Sequence, residues 1–122
     1  MKNILLVAVC LIVACSSTPE LKEGHWTGHL TPMNHPEMSI PVSYEVAYTE
    51  NGLDINIIGS DGISASAQNP HIERDTLFFM FNEPEEQVTL ECELARNNAS
   101  GFSGECTDSS GKWAQFTMVS PD

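Results

Sequence analysis

The chain has 122 residues, with 17 acidic side chains against 5 Lys and Arg, and a formal net charge of −12 at pH 7. That length suits one domain with a single modest core. So acidic a surface repels phosphates, which excludes nucleic acid as a partner. Such a surface would instead attract a basic protein, a cationic peptide or a divalent metal.

The N-terminal residues have the pattern of an export signal. Met1–Asn3 is short and positively charged, Ile4–Val13 is almost wholly apolar, and the small residue Ala14 follows. This order predicts a secretory signal peptide. About ten to twelve apolar residues cannot span the hydrocarbon core, which takes about 20, so the run does not predict a transmembrane helix.

Ile12–Cys15 resembles the lipobox of bacterial lipoproteins, in which two apolar residues and a small one precede the Cys. The resemblance implies that residues 1–14 are removed and that Cys15 carries diacylglycerol and an N-acyl chain such as palmitate. Two or more acyl chains give stable membrane anchoring. Ser16 rather than Asp follows Cys15, which implies sorting to the outer membrane. The alternative is an ordinary cleaved signal in which Cys15 is incidental.

The rest of the chain divides into a tether and one domain. Residues 15–23 are short and polar, and we expect them to link the lipid to a domain that spans residues 24–120. From Gly24 onward, apolar and polar residues alternate between tight-turn sequences, and no window has a sustained helical period. The domain is therefore expected to be all-β.

Two strands are predicted at the start of the domain. In residues 24–30, Trp26 shares one face with the apolar or small residues two positions away. Residues 31–41 contain three prolines and predict a loop. Residues 40–48 alternate strictly, which is typical of a half-buried strand.

Asn51-Gly52 follows the second strand and is the strongest short signal for a β-hairpin. With those two residues as the loop, Tyr48 would lie opposite Ile55 and Val46 opposite Ile57. Both pairs join apolar side chains, so the turn and the hydrophobic pattern agree on this register.

The middle of the chain contains a strand without alternation. Asp61-Gly62 predicts a second tight turn, and Asn69-Pro70 predicts a break. Residues 76–82 are predicted as a strand in which Leu77–Phe81 is apolar on both faces. Such a strand is buried on both sides, or it faces a second layer or a ligand.

Cys92 and Cys106 are predicted to form a structural disulfide. An exported chain enters an oxidising compartment, and the two residues do not have metal-ligand spacing. A hairpin symmetric about Ala99 places them directly opposite each other on neighbouring strands. Closing a loop of about 15 residues contributes about 3 kcal/mol in the chain-entropy model, which matters for a small core.

Together these elements predict eight or nine short antiparallel strands joined by sequential hairpins, as in an up-and-down meander. An open meander would leave two bare edges, and closure removes them. We therefore predict a small antiparallel barrel that is closed or nearly closed. The side chains expected in its interior are Trp26, Tyr44, Val46, Tyr48, Ile55, Ile57, Phe79, Phe81, Leu90, Phe102 and Phe116.

Gly24-His25-Trp26, at the start of the first strand, resembles the Gly-x-Trp signature of the lipocalin and calycin barrels. The resemblance implies a calycin-like barrel in which Trp26 packs across the closed end. Those families also place an Arg near the last strand, where this chain has Lys112 before Trp113.

No motif for catalysis or cofactor binding is present in the sequence. There is no nucleophile elbow and no Gly-rich phosphate loop, so we expect a protein that is not an enzyme and needs no cofactor. His25 and His29 share a strand face about 13 Å apart, which is too far for one ion. A metal site is therefore not predicted.

Two functions remain open, both for a non-catalytic lipoprotein of the cell envelope that faces the periplasm or the surface. In the first, the barrel mouth holds a small apolar molecule, because aromatic side chains are in surplus; the alternative is that these side chains fill the interior of a structural barrel. In the second, the protein inhibits a basic enzyme. Lipid-anchored barrels with one disulfide resemble the membrane-bound inhibitors of C-type lysozyme, and Gly62–Ala67 resembles their inhibitory strand.

Overall fold

A computed structural model describes residues 21–97 and 100–121 of the chain. The predicted signal peptide 1–14, the lipidation site Cys15 and the tether up to residue 20 lie outside the described residues. Within the described ranges, no helix is both long and apolar enough to cross a membrane.

Nine antiparallel strands make up the domain, as the alternation of apolar and polar residues predicts. Their bounds are β1 Gly24–Pro32, β2 Ile40–Thr49, β3 Gly52–Gly59, β4 Ser64–Ser66, β5 Gln68–Glu73, β6 Thr76–Glu83, β7 Val88–Arg96, β8 Gly101–Asp108 and β9 Gly111–Val119.

The strands form one sheet in the order β4-β3-β2-β1-β9-β8-β7-β6-β5, which curls into a nearly closed barrel. Its two edges, β4 and β5, follow each other directly in the chain. Ala67, between them, donates its N–H to the carbonyl of Ile55 at 2.8 Å, and Asn69 then takes a positive φ of 54°. Residues 64–73 thus act as one bent strand that pairs first with β3 and then with β6. The predicted up-and-down barrel of eight or nine strands is confirmed.

The core lies inside the barrel and is built from alternate residues of each strand. On β2, for example, Val42, Tyr44 and Val46 are buried, and the residues between them are more exposed. All but one of the side chains predicted for the interior are buried. The other large buried residues are Leu21, Leu77, Leu94 and Met118.

The prediction is wrong for Tyr48, whose side chain is 42% exposed. Tyr48 has the inward phase of β2, but it lies next to the turn, beyond the packed interior. There its hydroxyl oxygen accepts a hydrogen bond from the Leu21 N–H at 3.0 Å. The ring therefore helps to cover the end of the barrel instead of filling it.

The predicted register of the β2–β3 hairpin is also wrong, by two residues. The loop is Glu50-Asn51, Thr49 pairs with Gly52, and Val46 lies opposite Ile55. Gly52 has a φ of 106° but already belongs to β3. A shift of two residues keeps every side chain on its face, so Ile55 still points inward.

The outer face of β6 is less buried than the apolar run Leu77–Phe81 predicts. Leu77, Phe79 and Phe81 point into the core, whereas Phe78 and Met80 are half-buried on the outside. No second layer of described residues covers these two. Instead Phe78 stacks on His71 of β5, with ring centroids 5.3 Å apart and an interplanar angle of 14°.

The predicted disulfide is confirmed. Cys92 on β7 pairs directly with Cys106 on β8, and their Cα atoms are 4.0 Å apart. Both residues are buried in the core. The bond therefore joins two neighbouring strands from the inside of the barrel.

Candidate functional site

One end of the barrel is closed by the segment that precedes β1, residues 21–23. Leu21 is 2% exposed and packs into the core. The carbonyl of Lys22 accepts a hydrogen bond from Trp26 Nε1 at 2.8 Å, and Glu23 Oε2 accepts one from the Tyr48 N–H at 2.7 Å. We call this the closed end, and Trp26 lies there.

An arginine also contributes to the closed end, and sequence reasoning missed it. The guanidinium of Arg96, at the end of β7, lies 4.7 Å from the ring centroid of Phe102, whose ring is 6.0 Å from that of Trp26. Arg96 also binds Asp75 through its backbone N–H at 2.7 Å and through Nε at 3.5 Å. Arg96 thus joins the end of β7 to the β5–β6 turn at the closed end.

The middle of the barrel is filled by side chains. Tyr44, Phe102, Phe116 and Met118 are fully buried there. The hydroxyl of Tyr44 donates a hydrogen bond to the carbonyl of Thr117 at 3.0 Å, and burial raises its pKa well above the ordinary value. This part of the interior leaves no polar group available for chemistry.

The other end of the barrel is open, and we call it the mouth. It is surrounded by the β1–β2 loop (33–39), the β3–β4 turn (60–63), the β6–β7 turn (84–87) and the start of β9. A cavity of about 720 Å³ lies inside this ring. Its floor is apolar and is formed by Leu30, Val42, Ile57, Ala65, Phe81 and Phe116.

Carboxylates form one part of the rim. Asp61 comes from the β3–β4 turn, and Glu83, Glu85 and Glu86 come from the end of β6 and the turn after it. A hydrogen bond with Asp61 raises the pKa of Glu85 above its ordinary value, and repulsion from Asp61, Glu83 and Glu86 raises it further. Asp61 also accepts a hydrogen bond from the Ile63 N–H at 3.0 Å. Two separate turns thus bring several negative charges together at the opening.

Exposed apolar side chains form another part of the rim. Ile63 is 48% exposed and Met33 is 37% exposed. Trp113 lines the cavity beside them, and its carbonyl accepts a hydrogen bond from the Met33 N–H at 3.0 Å. That bond ties the β1–β2 loop to β9 and keeps the opening in place.

A second hollow of about 700 Å³ lies on the outer face of β5 to β9. Phe78 and Met80 are among its apolar residues, and Glu91, Glu93 and Glu105 are among its polar ones. Its lining comes from five neighbouring strands of the sheet, whereas the lining of the mouth comes from loops and strands of several hairpins. The mouth is therefore the stronger candidate for a binding site.

The histidines do not form a cluster: His25 and His29 lie on β1, His35 lies in the β1–β2 loop, and His71 lies on β5. Nδ1 of His25 contacts Glu45, Nδ1 of His35 lies 3.6 Å from Glu37, and His71 stacks on an aromatic ring. In the part of the chain that the structure describes, no three His, Cys, Asp or Glu side chains are grouped to hold a metal ion.

No protein-family model and no curated protein matches the chain. Among solved structures, it is similar to one described as a redesigned beta barrel, with 18% sequence identity and a TM-score of 0.62. The match covers 82% of this chain and 91% of the other. At that identity the likeness shows the fold alone: the chain forms an antiparallel β-barrel.

Proposed function

We propose that the protein is a non-catalytic binding protein of the bacterial cell envelope, held on the outer membrane by lipid on Cys15, and that it binds an apolar group in the mouth of its barrel. A periplasmic or surface-facing position follows from that anchor. The domain contributes binding rather than chemistry.

The observation that carries the binding role is the cavity at the mouth. Small-molecule sites are concave, mostly apolar and of roughly 300–1,000 Å³, with a few polar groups that orient the ligand. The mouth, at about 720 Å³, has an apolar floor above a packed interior and polar groups only at the rim. A purely structural barrel would have no need of an open apolar cavity at one end.

The proposed anchor would hold the closed end of the barrel near the membrane. The chain from Cys15 to Leu21 spans at most about 20 Å when extended, so a lipid on Cys15 would hold the domain close to the bilayer. Globomycin treatment of producing cells should make the unprocessed precursor accumulate. A mature N-terminal peptide in which Cys15 has no acyl mass would contradict the anchor.

Binding at the mouth can be tested with N-phenyl-1-naphthylamine, a neutral apolar dye that fluoresces in apolar sites. We expect saturable, one-site binding to the purified domain. Ile63→Ser, at the rim, should weaken it by about 1 kcal/mol, or about fivefold in Kd, because part of an Ile side chain no longer covers the dye. Val119→Ser is the matched control, because Val119 is 50% exposed at the closed end.

Two results would contradict binding at the mouth: no saturable dye signal at micromolar protein, or equal weakening by both Ser variants. Trp113 provides an independent signal because it lines the cavity. Its emission should change on dye binding, and Trp113→Phe should remove that change without preventing binding.

The rim also favours a second candidate, inhibition of a basic enzyme such as C-type lysozyme. The acidic rim would attract such a partner, and Gly62–Ala67, which resembles the inhibitory strand, occupies the β3–β4 turn and β4 beside the mouth. An assay with egg-white lysozyme tests it. Undiminished lysozyme activity at micromolar concentrations of the protein would rule this function out.

A further inference from the structure

We infer that the ligand of the mouth is a small amphipathic cation: a molecule with an apolar body that enters the cavity and a protonated amine that stays at the rim. This inference rests on the proposed function and adds the charge and size of the ligand to it.

The floor of the cavity requires an apolar body. Val42, Ile57, Phe81 and Phe116 come from four different strands and are all buried at 7% exposure or less. They offer no hydrogen-bond donor or acceptor from their side chains. A polar group placed on this floor would lose its hydration without compensation, so the part of the ligand that enters must be apolar.

The rim requires a positive charge. Asp61 and Glu85 belong to turns on different hairpins, yet both line the mouth beside Glu83 and Glu86. Repulsion among these carboxylates is one cause of the raised pKa of Glu85. Repulsion of this kind is relieved when a cation binds among the carboxylates. A ligand with a carboxylate or phosphate group at the same place would increase the repulsion.

Few basic residues lie near this rim. Lys22, Arg74 and Arg96 all belong to the closed end, on the segment before β1 or at the turns there. At the mouth, His35 lines the cavity, and Lys112 is the second residue of β9. Three of the four Lys and Arg residues between positions 21 and 121 thus lie at the closed end, whereas four carboxylates are clustered around the cavity.

The dimensions of the site favour a small molecule over a protein segment. The cavity of about 720 Å³ has the volume of a small-molecule site and is enclosed by loops on several sides. A chain of about ten carbons with one amine would place its methylenes over the floor and its charge at the carboxylates.

The experiment compares three ligands that share one chain and differ in head charge: decylamine, decanol and decanoate. Binding is followed by calorimetry and by Trp113 emission. We expect decylamine to bind about tenfold more tightly than decanoate, with decanol between them, and added salt to narrow the difference because the rim is exposed.

A pair of charge-matched variants assigns the effect to the rim. The double variant Asp61→Asn, Glu85→Gln should weaken the binding of decylamine by about two- to tenfold, which is the range for two exposed ion pairs. It should leave the binding of decanol unchanged. The control variant Glu50→Gln, Asp54→Asn removes the same net charge from exposed positions near the closed end. It should change the binding of neither decylamine nor decanol.

Each other outcome overturns the inference in a distinct way. Equal binding of all three ligands would refute the charge but keep the apolar mouth of the proposed function. Binding of none would refute both. Lysozyme inhibition that disappears in the Asp61 and Glu85 variant, without amine binding, would assign the mouth to a protein partner instead.

Discussion

Removal of the disulfide should cost a large part of the stability of this domain. The perturbation is the double substitution Cys92→Ala and Cys106→Ala. The cysteines are separated by 14 positions, so the bond closes a loop of about 15 residues, and the chain-entropy model gives a loss of about 3 kcal/mol. Small domains are stable by only about 5–15 kcal/mol in total.

Urea unfolding, followed by circular dichroism, measures the loss and also tests its cause. The crosslink restricts the unfolded chain, so its removal should lower the midpoint and raise the m-value, because the unfolded state exposes more surface. Loss of the buried sulfur atoms alone would lower the midpoint at constant m. A loss below about 1 kcal/mol, or an unchanged m-value, would refute the entropic reasoning.

Three further predictions concern the closed end, the core and the rim. Leu21→Ala should cost about 2–4 kcal/mol in urea unfolding, because the fully buried side chain leaves a cavity; no loss would show that the segment before β1 does not seal the barrel. Tyr44→Phe should cost about 1–2 kcal/mol, because the carbonyl of Thr117 loses its donor, and an unchanged midpoint would contradict this. The raised pKa of Glu85 makes its ionised form unfavourable in the folded state, so that contribution to stability is present below the usual pKa of 4.5 and is lost as pH rises through the raised value. Glu85→Gln should therefore unfold at a higher urea concentration than the parent at pH 7 and lose that advantage below pH 4.5, whereas Glu50→Gln should show no such pattern.

Alternation along the chain was enough to predict the strands and their inward faces. Tyr44, Val46 and Phe116 are buried where the pattern places them, because successive side chains of a strand point to opposite faces. The same property explains the wrong register of the β2–β3 hairpin. A slip of two residues preserves every face, so the hydrophobic pattern alone cannot distinguish Glu50-Asn51 from Asn51-Gly52 as the loop.

The disulfide was predictable because hairpin symmetry is local. A single turn between β7 and β8 places Cys92 opposite Cys106, and no long-range contact is needed. The same locality does not hold for Arg96. Its contact with Phe102 depends on how the ends of β7 and β8 lie relative to Trp26 on β1, far away in the chain.

The mouth could not be predicted because its parts meet only when the barrel curls. Asp61 and Glu85 lie in different hairpins, and Ile63 and Trp113 are still further apart in the chain. Each looks like an ordinary turn or strand residue in the sequence. The bend at Ala67, which passes the chain from β3 to β6, closes the sheet and brings these residues around one opening.

The seal formed by Leu21–Glu23 has a consequence for how the molecule would stand on a surface. The chain enters the barrel at the sealed pole, so any attachment upstream of Leu21 pulls on that pole, and the cavity lies at the opposite one. A barrel tethered in this way would stand upright with its opening directed into the aqueous compartment. Its ligand would then arrive from solution rather than from the supporting bilayer, and the rim would be free to meet a partner while the tether remained in place.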